Sequence, residues 1–402
     1  MHRTGYGAPV LTLVCCGVAA IGLLAITSIT HWLVALIGYT IICLIMIFEL
    51  SGMPSSRNSL HVMVALNAIP EVRAYLIKTA NGTVHHKRLT TDLVNGDAPL
   101  HLCRSATMAR ILVIHGADVH QRNKEDCTPL HCACTTCNTK LAMELIQLNS
   151  DIDAISSTYG TALHIAVGNR NFELVHGLLK SGASVDVPSP VRGSYGTTPL
   201  HLAVSSDQVE VAELLLQFGA DPRWELSLDE QKQAGSRSGC PPALHQAESA
   251  AMVQLLLRYG ASVDQPSHNV LGMTPLHFAC SFERSEVVRA LLQQGATVPR
   301  VADNGYTCLH FASSGEIVSL LLEAGAPLEQ RCVQGMTPLY CAATERRLDV
   351  FRTLLRAGAM IEGVRSFDVG MTSLQEVIAQ NDDLRIIVEQ ERQHLSRNAH
   401  CR

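Results

Sequence analysis

Residues 127–137 read CTPLHCACTTC, four cysteines and a histidine within eleven positions. Thiolates and imidazoles at short spacing are zinc ligands, and closely paired thiols carry redox chemistry. A tetrahedral site needs four convergent ligands, usually two short pairs on a loop. Cys132 and Cys134 stand two positions apart on a helical pattern, so their side chains point about 200° apart around the axis. They cannot face one ion. Cys127 precedes the helix and Cys137 follows it. The cluster therefore reads as buried structural thiols, since free cysteine packs as a small hydrophobe.

Nothing else in the chain offers catalysis. No glycine-rich phosphate loop follows a strand, and there is no Gly-x-Ser-x-Gly, His-Glu-x-x-His or kinase signature. No catalytic, cofactor or metal residue is assigned. The 402 residues are 47% apolar and 17% charged, enough to bury a large core. Aromatics are only 4%, so leucine, valine, isoleucine and alanine must build that core. The net charge of −5 is of mixed sign and excludes the basic stripe of a nucleic-acid protein. Fourteen cysteines scattered through helical patterns imply reduced thiols rather than a disulfide framework.

The histidine of the cluster belongs to a phrase that recurs along the chain. Thr128-Pro-Leu-His131 returns as Ala98-Pro-Leu-His101, Thr161-Ala-Leu-His164, Thr198-Pro-Leu-His201, Pro242-Ala-Leu-His245, Thr274-Pro-Leu-His277, Thr307-Cys-Leu-His310 and Thr337-Pro-Leu-Tyr340. Thr372-Ser-Leu-Gln375 is a degraded copy. A second phrase, Gly-Ala, closes most units, as at Gly116-Ala117, Gly219-Ala220 and Gly358-Ala359. Within the unit from residue 195, Thr198 is a natural N-cap and Pro199 suits the first helical position. Leu200, Ala203 and Val204 make the stripe of a short helix. Val209, Ala212, Leu215 and Leu216 make that of a return helix, which Gly219 ends in the left-handed conformation. Neither helix buries its face alone, so neighbours must stack. The recurrent histidines read as turn-stabilising partners of the threonine hydroxyl.

These units resemble the ankyrin repeat, whose period is 33 residues and which opens on T-P-L-H-x-A. The resemblance implies an all-α solenoid of helix-turn-helix units with finger loops, eight to nine of them over residues 96–381. A weak further copy at Leu60-His61 sits within the linker 51–95. The leucine-to-glycine interval is 19 in four units and 16 in three, and the shorter three lack three residues at the inter-helix turn. An insertion within 223–241 is polar and reads as an exposed loop. Residues 382–402 form a charged capping helix and tail.

In such arrays the implied contact surface is concave, made of finger tips and first helices. The resemblance therefore points to Arg122, Lys124, Tyr195, Arg223, Trp224, His268, Asn269, Arg300, Asn304 and Arg331 as candidate partner contacts. Trp224 is the sharpest, since exposed tryptophan dominates interface energies; its packing against its own array is the open alternative. The expected function is that of a non-catalytic scaffold or adaptor whose partner is a protein. The ankyrin and SOCS-box substrate receptors of ubiquitin ligases are a weaker likeness, and their leucine- and proline-rich box is not found after Asp382.

A short tail, residues 1–8, precedes two apolar runs, 10–26 and 33–48, separated by one polar break at 27–32. Each approaches the roughly 20 residues that span a bilayer. Residues 9–50 read as a transmembrane helical hairpin, with a secretory signal or a single tilted span as the alternatives. His2 and Arg3 before it, and Arg57, Arg73 and Lys78 after it, place both ends in the cytosol. Asn81-Gly82-Thr83 is a glycosylation sequon. Expressed in a cell with an active secretory pathway, the chain should keep its mobility on glycosidase treatment; a glycan on Asn81 would reverse the orientation.

Overall fold

The structure is a computed structural model that describes residues 56–79, 96–191, 196–225, 240–268, 270–361 and 373–400. The transmembrane hairpin expected at 9–50 lies outside them, and among the described residues no helix is long and apolar enough to cross a membrane. Residues 226–239, the bulk of the insertion, also lie outside.

The threonine–leucine–histidine phrase starts a helix because its proline or alanine follows an extended N-cap, with Thr198 at φ −92 and ψ 167. The first helix is short, seven residues in Pro199–Ser205, because a left-handed residue ends it. That residue is not glycine: Cys137, Arg170, Asp207, Glu283 and Arg346 all take φ between 50 and 59°. The return helix then runs nine residues, as in Val209–Gln217, and Gly219 at φ +95 ends it. Such pairs run from Ser56–Ala65 with Ile69–Thr79 to Leu374–Ala379 with Asp382–His400. First helices stack on first helices and return helices on return helices, giving one helical solenoid without a named strand among the described residues.

The core is one ribbon of aliphatic side chains along the stack. Leu100, Leu130, Leu163, Leu200, Leu244, Leu276, Leu309 and Leu339 are each at most 2% exposed. Burial of each is worth about 1.5–3 kcal/mol, which no isolated pair could gather. The leading copy is a structural unit: Leu60 is fully buried, and His61 Nε2 meets the Asp97 carbonyl at 3.2 Å. At the other end Glu391, 6% exposed, accepts from Arg356 Nε at 3.1 Å and closes the last unit.

The three short units differ from the sequence expectation. The missing residues come from the first helix as well as the turn. Pro99–Leu102, Ala243–Gln246 and Cys308–Phe311 are single turns of four residues, and the left-handed residue is gone. The return helices keep nine residues and start instead on a serine cap: Ser105, Ser249 and Ser314 accept from the amides of Met108, Met252 and Ile317. The lost turn orphans a carbonyl, and the next unit reaches back to satisfy it. Asn138 Nδ2 donates to the Arg104 carbonyl (2.8 Å), Arg284 Nη1 to that of Ala247 (3.0 Å), and Arg347 to those of Ala312 and His310. All three donors sit at the N-cap of a return helix. In full-length units Gln208 Nε2 makes the corresponding reach to the Val167 carbonyl (3.1 Å).

Arg347→Ala should therefore cost about 1–3 kcal/mol, the usual penalty of an orphaned buried acceptor. Urea unfolding followed by circular dichroism should show it. Arg346→Ala, one residue away and exposed, should leave the midpoint nearly unchanged.

Candidate protein-binding surface

The repeated histidines occupy the seam between units. The backbone N–H of Thr128, Thr161, Thr198, Thr274 and Thr307 donates to Nδ1 of the histidine three residues on, at 3.0–3.3 Å. The threonine Oγ1 lies 2.8 Å from the same nitrogen in His131, His164, His201 and His277. An acceptor Nδ1 leaves the proton on Nε2. That nitrogen donates into the following unit, His131 to Gly160, His164 to Thr197 and His310 to Met336, at 3.0–3.1 Å. Where Tyr340 replaces the histidine, the Thr337 hydroxyl accepts directly from the Tyr340 amide (3.3 Å). Desolvation lowers the pKa of His101, His131 and His164, and takes those of His201, His245 and His310 to about 4. Burial keeps these rings neutral and Nδ1 holds them to the frame, while Nε2 of His201 and of His277 has no hydrogen-bond partner among the described residues.

The cysteine cluster disperses as its spacing requires. Cys134 is fully buried and Cys132 half-buried, and burial pushes both thiols up to about 12. Cys127 turns to Ser156 Oγ at 3.3 Å, and Cys137 is exposed in the left-handed turn.

The finger loops are knitted to one another. Asp153 accepts from the Ser184 amide (2.8 Å), Asp264 from that of Thr297 (2.9 Å) and Glu329 from that of Met360 (2.8 Å). Several candidate contacts serve this lattice. Arg122 is bound to Asp126 and to the Ile155 carbonyl (2.7 Å). Lys124 lays its stem over Gly96, where an added Cβ would lie 2.6 Å from Lys124 Cδ, and its amide donates to the Gly96 carbonyl. The Asn304 carbonyl accepts from Val333 N (3.1 Å), and its side-chain oxygen from Tyr306 N (3.2 Å). His268 Nδ1 pairs with Glu225 at 3.1 Å, and Gln265 donates to the Arg223 carbonyl. Arg223, Trp224 and His268 thus stand together, whereas Arg122 and Lys124 lie three loops before Arg223 in the stack. Arg300 and Arg331 are exposed on later loops. Tyr195 and Asn269 lie outside the described residues.

Trp224 is not a bare anchor. It is half-buried, and its ring meets the buried His201 ring edge-on at 5.7 Å. Its main contact is the array itself, because burying the indole beside the seam removes apolar area from water.

The inner wall carries what the loop inventory missed. A cavity of about 420 Å³ opens between the loops and first helices of three successive units, lined by Thr135, Tyr159, Ile165, Asn169, Val191 and Leu202. Further along, Phe278 packs on His245 (5.2 Å) and on Phe282 (6.2 Å). Phe282 is 60% exposed with the Arg284 guanidinium 5.3 Å over its ring. The signal was present in the repeat itself. The position after each histidine runs Leu102, Cys132, Ile165, Leu202, Gln246, Phe278, Phe311 and Cys341, a column that changes from unit to unit while its neighbours stay fixed.

The chain belongs to the ankyrin-repeat family. The family described as "Ankyrin repeats (3 copies)" matches residues 100–189, 145–224, 226–302 and 298–363, more than half of the chain. Among known proteins it is similar to the B-cell lymphoma 3 protein homolog of Mus musculus, 32% identical over 56% of this chain and 50% of that one. It is also similar to the B-cell lymphoma 3 protein of Homo sapiens, 32% identical over 50% of this chain and 43% of that one. The chain thus spans about half the length of these relatives. A crystal structure of the ankyrin repeat domain of Bcl-3 aligns with 30% identity and a TM-score of 0.43, covering 58% of this chain and 99% of that one.

The neutral histidines set a pH dependence. The unfolded chain binds protons near pH 6.5, whereas the folded seam resists them until about pH 4. Their contribution is complete above pH 6.5 and lost as pH falls toward 4, by up to about 1.4 kcal/mol per unit for each histidine. Urea midpoints measured from pH 7.5 to 4.5 should fall progressively below 6.5, and the fall should be shallower in His310→Gln.

Proposed function

We propose that the protein is a membrane-tethered scaffold that binds a partner protein along the concave wall of its ankyrin array, without catalysing a reaction. One observation carries this reading. The repeated polar groups are engaged in holding the frame, while the column after each histidine and the exposed loop tips are free to differ between units. A rigid frame with an unrepeated inner face discriminates among partners by shape and apolar contact. Exposed Tyr159 and Phe282, at 41% and 60%, supply aromatic area of the kind that dominates protein interfaces. The apolar runs 10–26 and 33–48 support the tether, and the basic residues around them support an array facing the cytosol.

Proximity labelling from the carboxyl end of the full chain, combined with alkaline extraction of membranes, tests both halves. The chain should stay in the extracted pellet. Tyr159→Ala with Phe282→Ala should reduce a labelled partner by roughly five- to thirtyfold at unchanged abundance. Release into the supernatant would overturn the tether, and an unchanged partner set would overturn the wall. Recovery of elongin and a cullin as the stable partners would instead make the protein a ubiquitin-ligase substrate receptor.

A further inference from the structure

The histidine bridges between units are not all made. Nε2 of His101, His131, His164, His245 and His310 meets the carbonyls of Cys127, Gly160, Thr197, Met273 and Met336 at 3.0–3.1 Å. Each of these bonds enters a full-length unit. Where the next unit is one of the three short ones, the bond is longer or missing. His61 meets the Asp97 carbonyl at 3.2 Å, and Nε2 of His201 and of His277, both buried, has no hydrogen-bond partner among the described residues. The Pro241 carbonyl, next in the series, stands beside His201 but outside hydrogen-bond geometry. The exits of the short units are fastened. Asn138, Arg284 and Arg347 reach back from the following unit to the Arg104, Ala247 and Ala312 carbonyls. A short unit is thus tied to its successor and loosely joined to its predecessor.

At the two open junctions the histidine ring meets an aromatic ring edge-on. His201 meets Trp224 with centroids 5.7 Å apart, and His277 meets Phe311 at 5.8 Å. The aromatic ring is not what displaces the bond, since His245 meets Phe278 at 5.2 Å and still reaches the Met273 carbonyl. The two kinds of contact differ in tolerance. Edge-on rings attract over centroid separations of about 4.5–7 Å, whereas an N–H···O bond holds over about half an ångström. On the finger side these junctions remain knitted. Gln265 donates to the Arg223 carbonyl (3.3 Å) and Ser267 to Glu225 (2.9 Å) at the first, Asp303 N to the Leu271 carbonyl (2.8 Å) and Thr297 N to Asp264 (2.9 Å) at the second. Toward the inter-helix turns the joints are hydroxyl bonds, Ser249 to Asp207 (2.7 Å) and Ser313 to the Cys280 carbonyl (2.8 Å), and on the return helices the exposed Arg289–Glu316 pair. Exposed pairs of this kind hold weakly.

We infer that the array carries two hinges, at the junctions that enter the short units beginning at Pro242 and Thr307, which tilt about their fingers while the bridged junctions stay locked. The array is then three blocks, one up to Glu225, one from Cys240 to Gly295 and one from Thr307 onward. The hinges part the inner wall. The cavity lined between Thr135 and Leu202 lies on the first block, Phe278 and Phe282 on the second and Phe311 on the third. Hinge tilts therefore set the spacing between the cavity and the aromatic wall, whatever that wall binds.

Spin labels test this in the full chain, attached through p-acetylphenylalanine so that the native cysteines stay untouched. The labelled positions, Gln147, Gln217, Arg258, Gln293 and Glu323, are the exposed last residues of return helices. Gln147 with Gln217 spans two bridged junctions. Gln217 with Gln293 spans one bridged junction and the first open one, and Arg258 with Glu323 one bridged junction and the second. Double electron–electron resonance should give broader distance distributions for the last two pairs than for the first. His164→Asn should broaden the Gln147–Gln217 distribution toward that of the hinge pairs, because the amide oxygen takes the place of Nδ1 while Nε2 is lost. His201→Asn should leave the Gln217–Gln293 width as it was, since no bridge is there to lose. Equal widths for the three pairs in the unsubstituted chain would overturn the hinges. So would a His164→Asn chain of unchanged helical content whose Gln147–Gln217 distribution stays narrow.

Discussion

The structure depends on the bifunctional imidazoles that bridge most of its junctions. Nδ1 takes the amide of its own N-cap threonine, and Nε2 gives its proton to a carbonyl of the next unit, as in His131 and Gly160. One ring thus fixes the start of a helix and the distance to its neighbour together. The arrangement requires a neutral ring with the proton on one particular nitrogen, and burial enforces the neutrality. The aliphatic ribbon supplies most of the driving force for stacking, but leucine and alanine are tolerant of sliding. The histidine is not, because a shift of an ångström breaks its second bond. Register along the solenoid is a polar property laid over an apolar core.

The short units show how the same frame absorbs deletion. Removing three residues from a first helix leaves a carbonyl without its amide. The remedy lies in the following unit, where Arg284 and Arg347 stand at the N-cap and point backward. Neither caps its own helix, although Asn138 and Asn171 do. At these two junctions the guanidinium spans the gap and the local cap is given up, whereas Asn138 caps its own helix and makes the same reach.

Most of the frame was legible in the residues. The period, the proline at the first helical position and the glycine after the return helix each carry a local physical reason, and each is found where expected. The dispersal of Cys127, Cys132, Cys134 and Cys137 followed from helical geometry. The placement of the three-residue gaps did not. A missing turn and a missing bend leave the same leucine-to-glycine interval, and only the serine cap, as at Ser249, separates them. The pairing of the threonine hydroxyl with the histidine of its own phrase is likewise found, as at Thr198 and His201. The candidate site was less legible. The tip charge of Arg122 looks available in a sequence, but Asp126 and the Ile155 carbonyl of the next loop engage it. Trp224 looked like an anchor because nothing in its own unit covers it; the ring that does, His201, lies a loop away. Which side chains face the inner wall is a property of stacking, and the period alone hides it.

The last helix, Asp382–His400, is nineteen residues long where the return helices from Ala106–Ile114 to Leu348–Arg356 are nine. Leu384, Ile387 and Val388 turn inward, while Arg385, Glu389 and Arg392 face water. A stack of interchangeable modules has no intrinsic reason to stop, and an uncovered end would accept another molecule's first module as readily as its own next one. The charged outer side of this helix makes that addition electrostatically and sterically unprofitable. The outward side of this helix thus offers Arg385, Glu389 and Arg392, with Ile386, where the faces between units are aliphatic.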